Sequence, residues 1–246
     1  MNVYGSTANL PREHVIAAVE ALTNGFYTED FGMIESDHIQ LTPQARGVID
    51  EALVDTLFDR FSGTKFRFHT NIKIEDKLKI VDCSSPNSQA YWARVGELSN
   101  RIKAPLYSFH AGFKNECSKK RLIENYFMIE RYFDCEIAIE HGYPTREGRK
   151  QWWLNCWSEL DWMINKTEIN YVIDLSHINI IARNEGRQDD LLKYLLENKR
   201  CKEIHVSAND GLKDSHRRIE SEQWWYAFID NFNAESKVFS EGNHTI

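Results

Sequence analysis

The sequence predicts an α/β fold, a single (β/α)8 barrel spanning residues 1–246. Three observations predict it. Short β-prone runs alternate with helical patterns along the chain, as βα units do. Those runs are apolar enough to be buried on both faces, the mark of a parallel sheet. His, Asp and Glu residues also recur at the ends of six different runs. An open doubly wound sheet gathers ligands at one switch point, whereas a barrel sets its chemistry at the C-terminal ends of many strands.

Residues 1–6 read as the first strand, and Pro11 suits the first turn of a helix running through Arg12 to Val19. A second strand is expected near Phe31 to Glu35. After Pro43, residues Val48, Ile49, Leu53, Leu57, Phe58 and Phe61 recur at helical spacing, and Lys65 to His69 returns to a strand pattern. The connection from Thr70 to Pro86 is long and polar, a length associated with functional loops, so it is expected to cover a substrate. A helix over Asn87 to Ile102 precedes a strand at Pro105 to Phe109. A helix over Ser118 to Phe133 precedes a strand at Glu136 to Glu140. The rhythm continues with a Trp-rich helix from Glu147 to Ile164, a strand at Ile169 to Asp174, a helix at Asp189 to Asn198 and a strand at Glu203 to Val206. A helix over Glu222 to Phe232 and a strand at Lys237 to Ser240 complete eight strands and seven helices. The usual last outer helix is missing, so a loop, the N-terminal region or a partner subunit is expected to cover that flank. A homo-oligomer would supply the last of these.

Composition excludes several classes. No segment has the roughly 20 consecutive apolar residues that span a bilayer, and Met1 to Ser6 lacks the pattern of a secretory signal. The five cysteines form no Cys-x-x-Cys pair and their number is odd, which suits a reducing cytoplasm better than a disulfide framework or a zinc ribbon. A net charge of −7 gives no global basic footprint for nucleic acid. Glycine-rich phosphate loops and a Gly-x-Ser-x-Gly elbow are both absent from the sequence.

Function must therefore come from the strand ends. His69, His110, Glu140, Asp174, His177, His205, Asp214, His216 and Glu241 are nine groups of the kinds that ligate zinc, manganese or iron(II). A single ion takes about three or four protein ligands, so the surplus points to two or three ions. In Asp174-Leu-Ser-His177 the carboxylate ends a strand and the imidazole lies just beyond it. In Asp214-Ser-His216 both side chains fall on one side of an extended segment. His38, Lys114 and Arg217 are candidate substrate contacts. His141 should point away from Glu140 by strand alternation and reads as structural. Trp152, Trp153, Trp157 and Trp162 fall mostly at helical spacing and read as core packing on one outer helix.

The runs Tyr107-Ser-Phe-His110-Ala-Gly, Ile139-Glu140-His-Gly, Val172-Ile-Asp174-Leu-Ser-His177, Ile204-His205-Val-Ser-Ala-Asn-Asp210-Gly, Asp214-Ser-His216 and Phe239-Ser-Glu241-Gly resemble the xylose isomerase-like TIM barrel superfamily. Within it they are most similar to the endonuclease IV group, also called AP endonuclease family 2. The resemblance covers His69 to Glu241. It implies that His69, His110 and Glu140 hold one ion, and that Glu140 bridges to a second completed by Asp174, His205 and Glu241. His177, Asp214 and His216 would then hold a third. The implied activity is phosphodiester cleavage beside an abasic site in DNA, with zinc the first choice of metal and Glu140 or Glu241 orienting the attacking water. The aromatic wedge and basic loops expected of a duplex binder are only partly represented, by the lysines after His69 and by Arg217 and Arg218. A smaller phosphoester or sugar phosphate is therefore also a candidate substrate. The same superfamily contains sugar isomerases and epimerases that hold one divalent ion with two Glu, an Asp and a His, a subset present here as Glu140, Asp174, His205 and Glu241. It also contains iron-dependent oxidases that modify peptides.

Overall fold

Eight strands close into a parallel barrel in sequence order: β1 Val3–Ser6, β2 Glu35–Leu41, β3 Lys65–His69, β4 Leu106–His110, β5 Glu136–Glu140, β6 Tyr171–Asp174, β7 Cys201–Val206 and β8 Lys237–Ser240. β1 pairs with both β2 and β8 and so shuts the ring. The computed structural model describes residues 1–43, 45–70, 74, 81–85, 88–146 and 149–244. Among the described residues, seven α-helices accompany the strands: α1 Val15–Thr23, α2 Glu51–Arg60, α3 Gln89–Arg101, α4 Lys119–Glu130, α5 Trp157–Lys166, α6 Leu175–Glu185 and α7 Asp189–Glu197.

Side-chain alternation divides each strand between two environments. In β3, Phe66 and Phe68 join the large apolar core shared with the helices, while Arg67 and His69 turn into the barrel. Inside, Leu106, Ala138 and Val172 form a small separate apolar cluster. Caps fix where helices begin, because a side-chain oxygen satisfies a backbone donor that the first turn leaves free. Asp50 accepts from the Leu53 N–H at 2.9 Å to open α2, and Ser118 accepts from the Arg121 N–H at 3.2 Å to open α4.

Four features differ from the sequence reading. The second barrel strand is Glu35–Leu41, and the expected run at residues 31–35 instead supplies Gly32–Met33 to a two-stranded antiparallel ribbon with Tyr27–Thr28 and reaches the barrel strand only at Glu35. Phe31 is drawn out of the barrel to stack on Trp225, with ring centroids 6.3 Å apart, and the polar start of β2 at Glu35, Ser36 and Asp37 hides the strand from an apolar-run criterion. The Trp-rich helix begins only at Trp157. Before it the chain pairs with the loop after β4 at Trp152 and turns at Trp153–Leu154, with the Trp153 N–H donating to the Gly112 carbonyl and the Lys114 N–H to the Gln151 carbonyl, both at 2.8 Å. An unanticipated helix, α6, follows β6 directly, capped by Asp174. The last expected helix is a 3₁₀ segment, Trp224–Asn231.

After β8 the described chain forms no further helix. The N-terminal 3₁₀ turn Thr7–Asn9 meets it there: the Asn9 amide donates to the Gly242 carbonyl at 2.8 Å, and the His244 N–H to the Asn9 carbonyl at 2.7 Å. The expectation that residues 70–86 cover a substrate falls mostly outside the described residues, as do Lys73, Lys77 and Lys79 and the starts of the helices expected at Asn87 and Glu147. No helix among the described residues is long and apolar enough to cross a membrane.

Candidate metal centre

Strand ends deliver most of the nine candidate ligands. His69, His110, Glu140 and Asp174 are the last residues of β3, β4, β5 and β6, His205 lies one residue before the end of β7, and Glu241 follows β8 directly. Parallel register sets them side by side, with His110 opposite Glu140 and Asp174 opposite His205. His177 sits in the first turn of α6. Its placement follows from Asp174, whose Oδ1 caps that helix by accepting from the Ser176 and His177 N–H groups at 2.6 and 3.0 Å. Asp214 and His216 come from the loop after β7. His216 has a φ of 42°, a left-handed conformation unusual for a non-glycine residue and a frequent companion of functional sites.

Glu140 is the hub. Its Oε2 lies 3.1 Å from His69 Nε2 and 3.3 Å from His205 Nδ1, while its Oε1 lies 3.4 Å from His177 Nδ1 and 3.7 Å from His110 Nε2. Glu241 is 3.4 Å from His205 Nδ1 and 3.7 Å from His216 Nδ1. Asp214 Oδ2 stands between His177 Nε2 at 3.4 Å and His216 Nε2 at 3.0 Å. Three sets have ligand atoms mutually within 4.8 Å: His69 with His205 and Glu241, His69 with His110 and Glu140, and Glu140 with Asp174 and His177.

Four imidazoles use one nitrogen to hold their place and turn the other inward. His69 Nδ1 meets Ser108 Oγ at 2.9 Å, His110 Nδ1 meets Thr70 Oγ1 at 3.2 Å, and His177 Nδ1 meets the His141 carbonyl at 3.0 Å. The outward nitrogen of His205 is Nε2, 3.4 Å from Glu203 Oε2. This is how metal-binding imidazoles are oriented. Glu140 Oε2, His205 Nδ1 and His216 Nδ1 are buried without a hydrogen-bond partner. Such orphans are rare in folded proteins, and divalent cations held in the cleft would satisfy them, so the residues present fit metal ions.

The electrostatics of the metal-free cleft follow from burial and mutual charge. Burial alone would raise the Glu140 carboxyl, but the imidazoles of His110, His69 and His205 outweigh it and hold the group well below the usual carboxylate range. Burial opposes protonation of His177, yet Asp174, Asp214 and Glu140 push it up to about 10. His216 rises against burial to about 9 through Asp214 and Glu241. Burial, helped by His69 and His177, lowers His110 to about 4. Glu241 is raised, by burial first and by Glu140.

The cavity among these groups is about 90 Å³ and is also lined by Thr70, His141, Gly142, Tyr143 and Trp152. Trp152 is a correction to its reading as outer-helix packing. It lies in the stretch before α5, stacks on Phe113 at 4.1 Å and approaches the His110 ring at 5.6 Å. His141 is buried beside the site, accepting from the Asp174 N–H at 3.2 Å through Nε2.

The three candidate substrate contacts do not line this cavity. His38 lies three residues before the end of β2, where Arg67 Nε donates to its Nδ1 at 3.3 Å and Tyr4 packs edge-on at 5.2 Å. Lys114 is engaged by Asn155 and Glu159, each at 2.8 Å. Arg217 pairs with Asp210 at 3.0 Å. Tyr143 and Thr70, which also line the cavity, are site residues the sequence reading does not single out. For Tyr143 the available signal was its place just after Glu140-His-Gly, on the loop leaving a ligand-bearing strand.

Comparison with known proteins adds the fold. No protein-family model matches the chain, and no curated protein matches it in sequence. Among solved structures, a D-tagatose 3-epimerase-like protein aligns with a TM-score of 0.67 at 13% identity, covering 100% of this chain and 92% of its own. Endonuclease IV from Thermus thermophilus aligns at 0.57 and 16% identity, covering 96% and 90%. An IolI protein solved with a binding zinc atom aligns at 0.64 and 13% identity, covering 99% and 90%. The chain thus has the fold of the xylose isomerase-like TIM barrels.

Proposed function

We propose that this protein is a metal-dependent phosphoester hydrolase of the endonuclease IV type. Its centre takes three divalent ions, zinc first, and abasic-site DNA is the first substrate to test. One observation carries this reading: His177, Asp214 and His216 converge within 3.4 Å of a shared carboxylate oxygen, beyond the four residues a one-ion isomerase uses. His69, His110 and Glu140 would hold one ion, and Asp174, His205 and Glu241, together with Glu140, a second. His177, Asp214 and His216 would hold the third. Bound there, such ions lower the pKa of water and neutralise charge developing on phosphoryl oxygens.

The chain's own residues do the rest. Glu140 and Glu241, on either side of His205 Nδ1 at 3.3 and 3.4 Å, orient the attacking water. The cavity of about 90 Å³ is far below the roughly 300 Å³ at which pockets begin to enclose whole ligands. It suits a reacting phosphoryl group, with the remainder of the substrate lying across Tyr143 and Trp152. The same pair of carboxylates also supports a second reading, a one-ion sugar epimerase in which Glu140 and Glu241 move protons. Metal-loaded protein should hydrolyse bis(4-nitrophenyl) phosphate and nick an abasic duplex. Ketohexose interconversion without hydrolysis would overturn the first reading in favour of the second.

A further inference from the structure

Two residues before each ligand, the same alternation produces a second inward-facing layer: Arg67, Ser108, Ala138, Val172, Glu203 and Phe239. Half of it is apolar, as a barrel interior ordinarily is. The other half holds buried charge. Glu203 is fully buried, and Arg67 Nη1 donates to its Oε1 at 2.9 Å. A buried ion pair is often no more stabilising than apolar residues of the same volume, so this one calls for a reason beyond stability.

Its geometry supplies one. Glu203 Oε2 turns toward the ligand layer, accepting from Ser108 Oγ at 2.8 Å and lying 3.4 Å from His205 Nε2. Because the Ser108 proton goes to Glu203, the Ser108 oxygen is left to accept from His69 Nδ1, 2.9 Å away. His69 then carries its proton on Nδ1 and presents the Nε2 lone pair to the cleft, 3.1 Å from Glu140 Oε2. His205 is arranged in the opposite sense, with Nδ1 inward and its Nε2 proton facing Glu203. The Gln40 amide nitrogen lies 2.8 Å from that same Nε2 and 3.3 Å from Glu203 Oε2, and its oxygen has no partner; with the two ends of the amide exchanged, the oxygen accepts the His205 Nε2 proton.

Resting on the reading of this cleft as a metal centre, we propose that Glu203 is a positioning residue that sets the tautomers of two metal ligands. It acts on His69 through Ser108 and on His205 directly, so that the first binds through Nε2 and the second through Nδ1. Arg67 holds the Glu203 carboxylate in place from the opposite side.

Ser108→Ala breaks the link to His69 and leaves the Arg67–Glu203 pair intact. Glu203→Gln combined with Arg67→Met removes both charges together, so neither is stranded. Zinc affinity by chelator competition and imidazole proton positions by long-range proton–nitrogen NMR are read on the full chain. The expected result is about 10- to 100-fold weaker zinc binding in each variant, the usual cost of losing such a partner. The His69 Nδ1 proton should lose its protection from exchange in Ser108→Ala, and the His205 Nε2 proton should follow only in the double variant. Zinc affinity within about twofold of the parent in both variants, with both protons still protected, would overturn the proposal. A parent that binds no zinc, yet shows a His69 Nδ1 proton whose protection is lost in Ser108→Ala, would refute the metal-centre reading and leave the Glu203 relay standing.

Discussion

Replacing His216 by Ala should remove one ion and most of the hydrolase activity while the barrel stays folded. His216 is a loop residue with a side chain 26% exposed, touching Asp214 at 3.0 Å and Glu241 at 3.7 Å. Partly solvated ion pairs are worth little, so the variant should lose about 1 kcal/mol of folding free energy, against the roughly 5–15 kcal/mol of a typical domain. The catalytic loss is larger. Removing one preorganised stabiliser of transition-state charge costs about 2.7–4 kcal/mol, or about 10²- to 10³-fold in kcat. Steady-state hydrolysis of bis(4-nitrophenyl) phosphate, with ion content and melting temperature recorded on the same samples, tests all three quantities. A folded variant with unchanged kcat would refute the three-ion reasoning.

Two further outcomes follow from the site's electrostatics and packing. Because His177 is pushed up to about 10 and His216 to about 9, both are protonated at pH 7 in the metal-free protein and must lose those protons to bind metal. Zinc binding should therefore release protons, and its affinity should climb between about pH 6.5 and 10; calorimetry in buffers of different ionisation heat that finds no release would count against the ligand assignment. The same raised values stabilise the chelated protein fully below about pH 6.5. That contribution is lost as pH rises through about 9 and 10, so the melting temperature of chelated protein should fall across this range. Gly142→Ala would place a Cβ 2.2 Å from Trp152 Cβ, forcing the two loops apart at a cost of about 1–3 kcal/mol. Melting temperature and tryptophan fluorescence should both shift, and a variant identical to the parent in both would contradict the packing described.

What the sequence reveals is uneven for physical reasons. The ligand layer can be read because each member ends or closely follows a short β-prone run, and imidazoles and carboxylates stand out at such places. The layer beneath it cannot. Arg67 and Glu203 are single charges inside strands, ordinarily taken for solvated positions, and only closure of the barrel brings together two residues 136 apart in sequence. His38 has suitable chemistry at the wrong height, since three further residues of β2 separate it from the active end of the barrel. Trp152 shares helical spacing with its neighbours, but backbone pairing with the loop after β4 overrides that local preference and turns its ring toward the cleft. α6 is hard to see in the sequence because its N-cap, Asp174, and its first-turn His177 carry the chemistry of ligands, although an Asp followed by a helical run is also a capping signal.

Metal content per chain tests the central claim most directly. Plasma mass spectrometry on protein purified without chelator or immobilised nickel should find close to three ions, mostly zinc, held by the groups around Glu140, Glu241 and Asp214. A single ion, mostly manganese or magnesium, would contradict the hydrolase account and assign the barrel to one-ion isomerase chemistry.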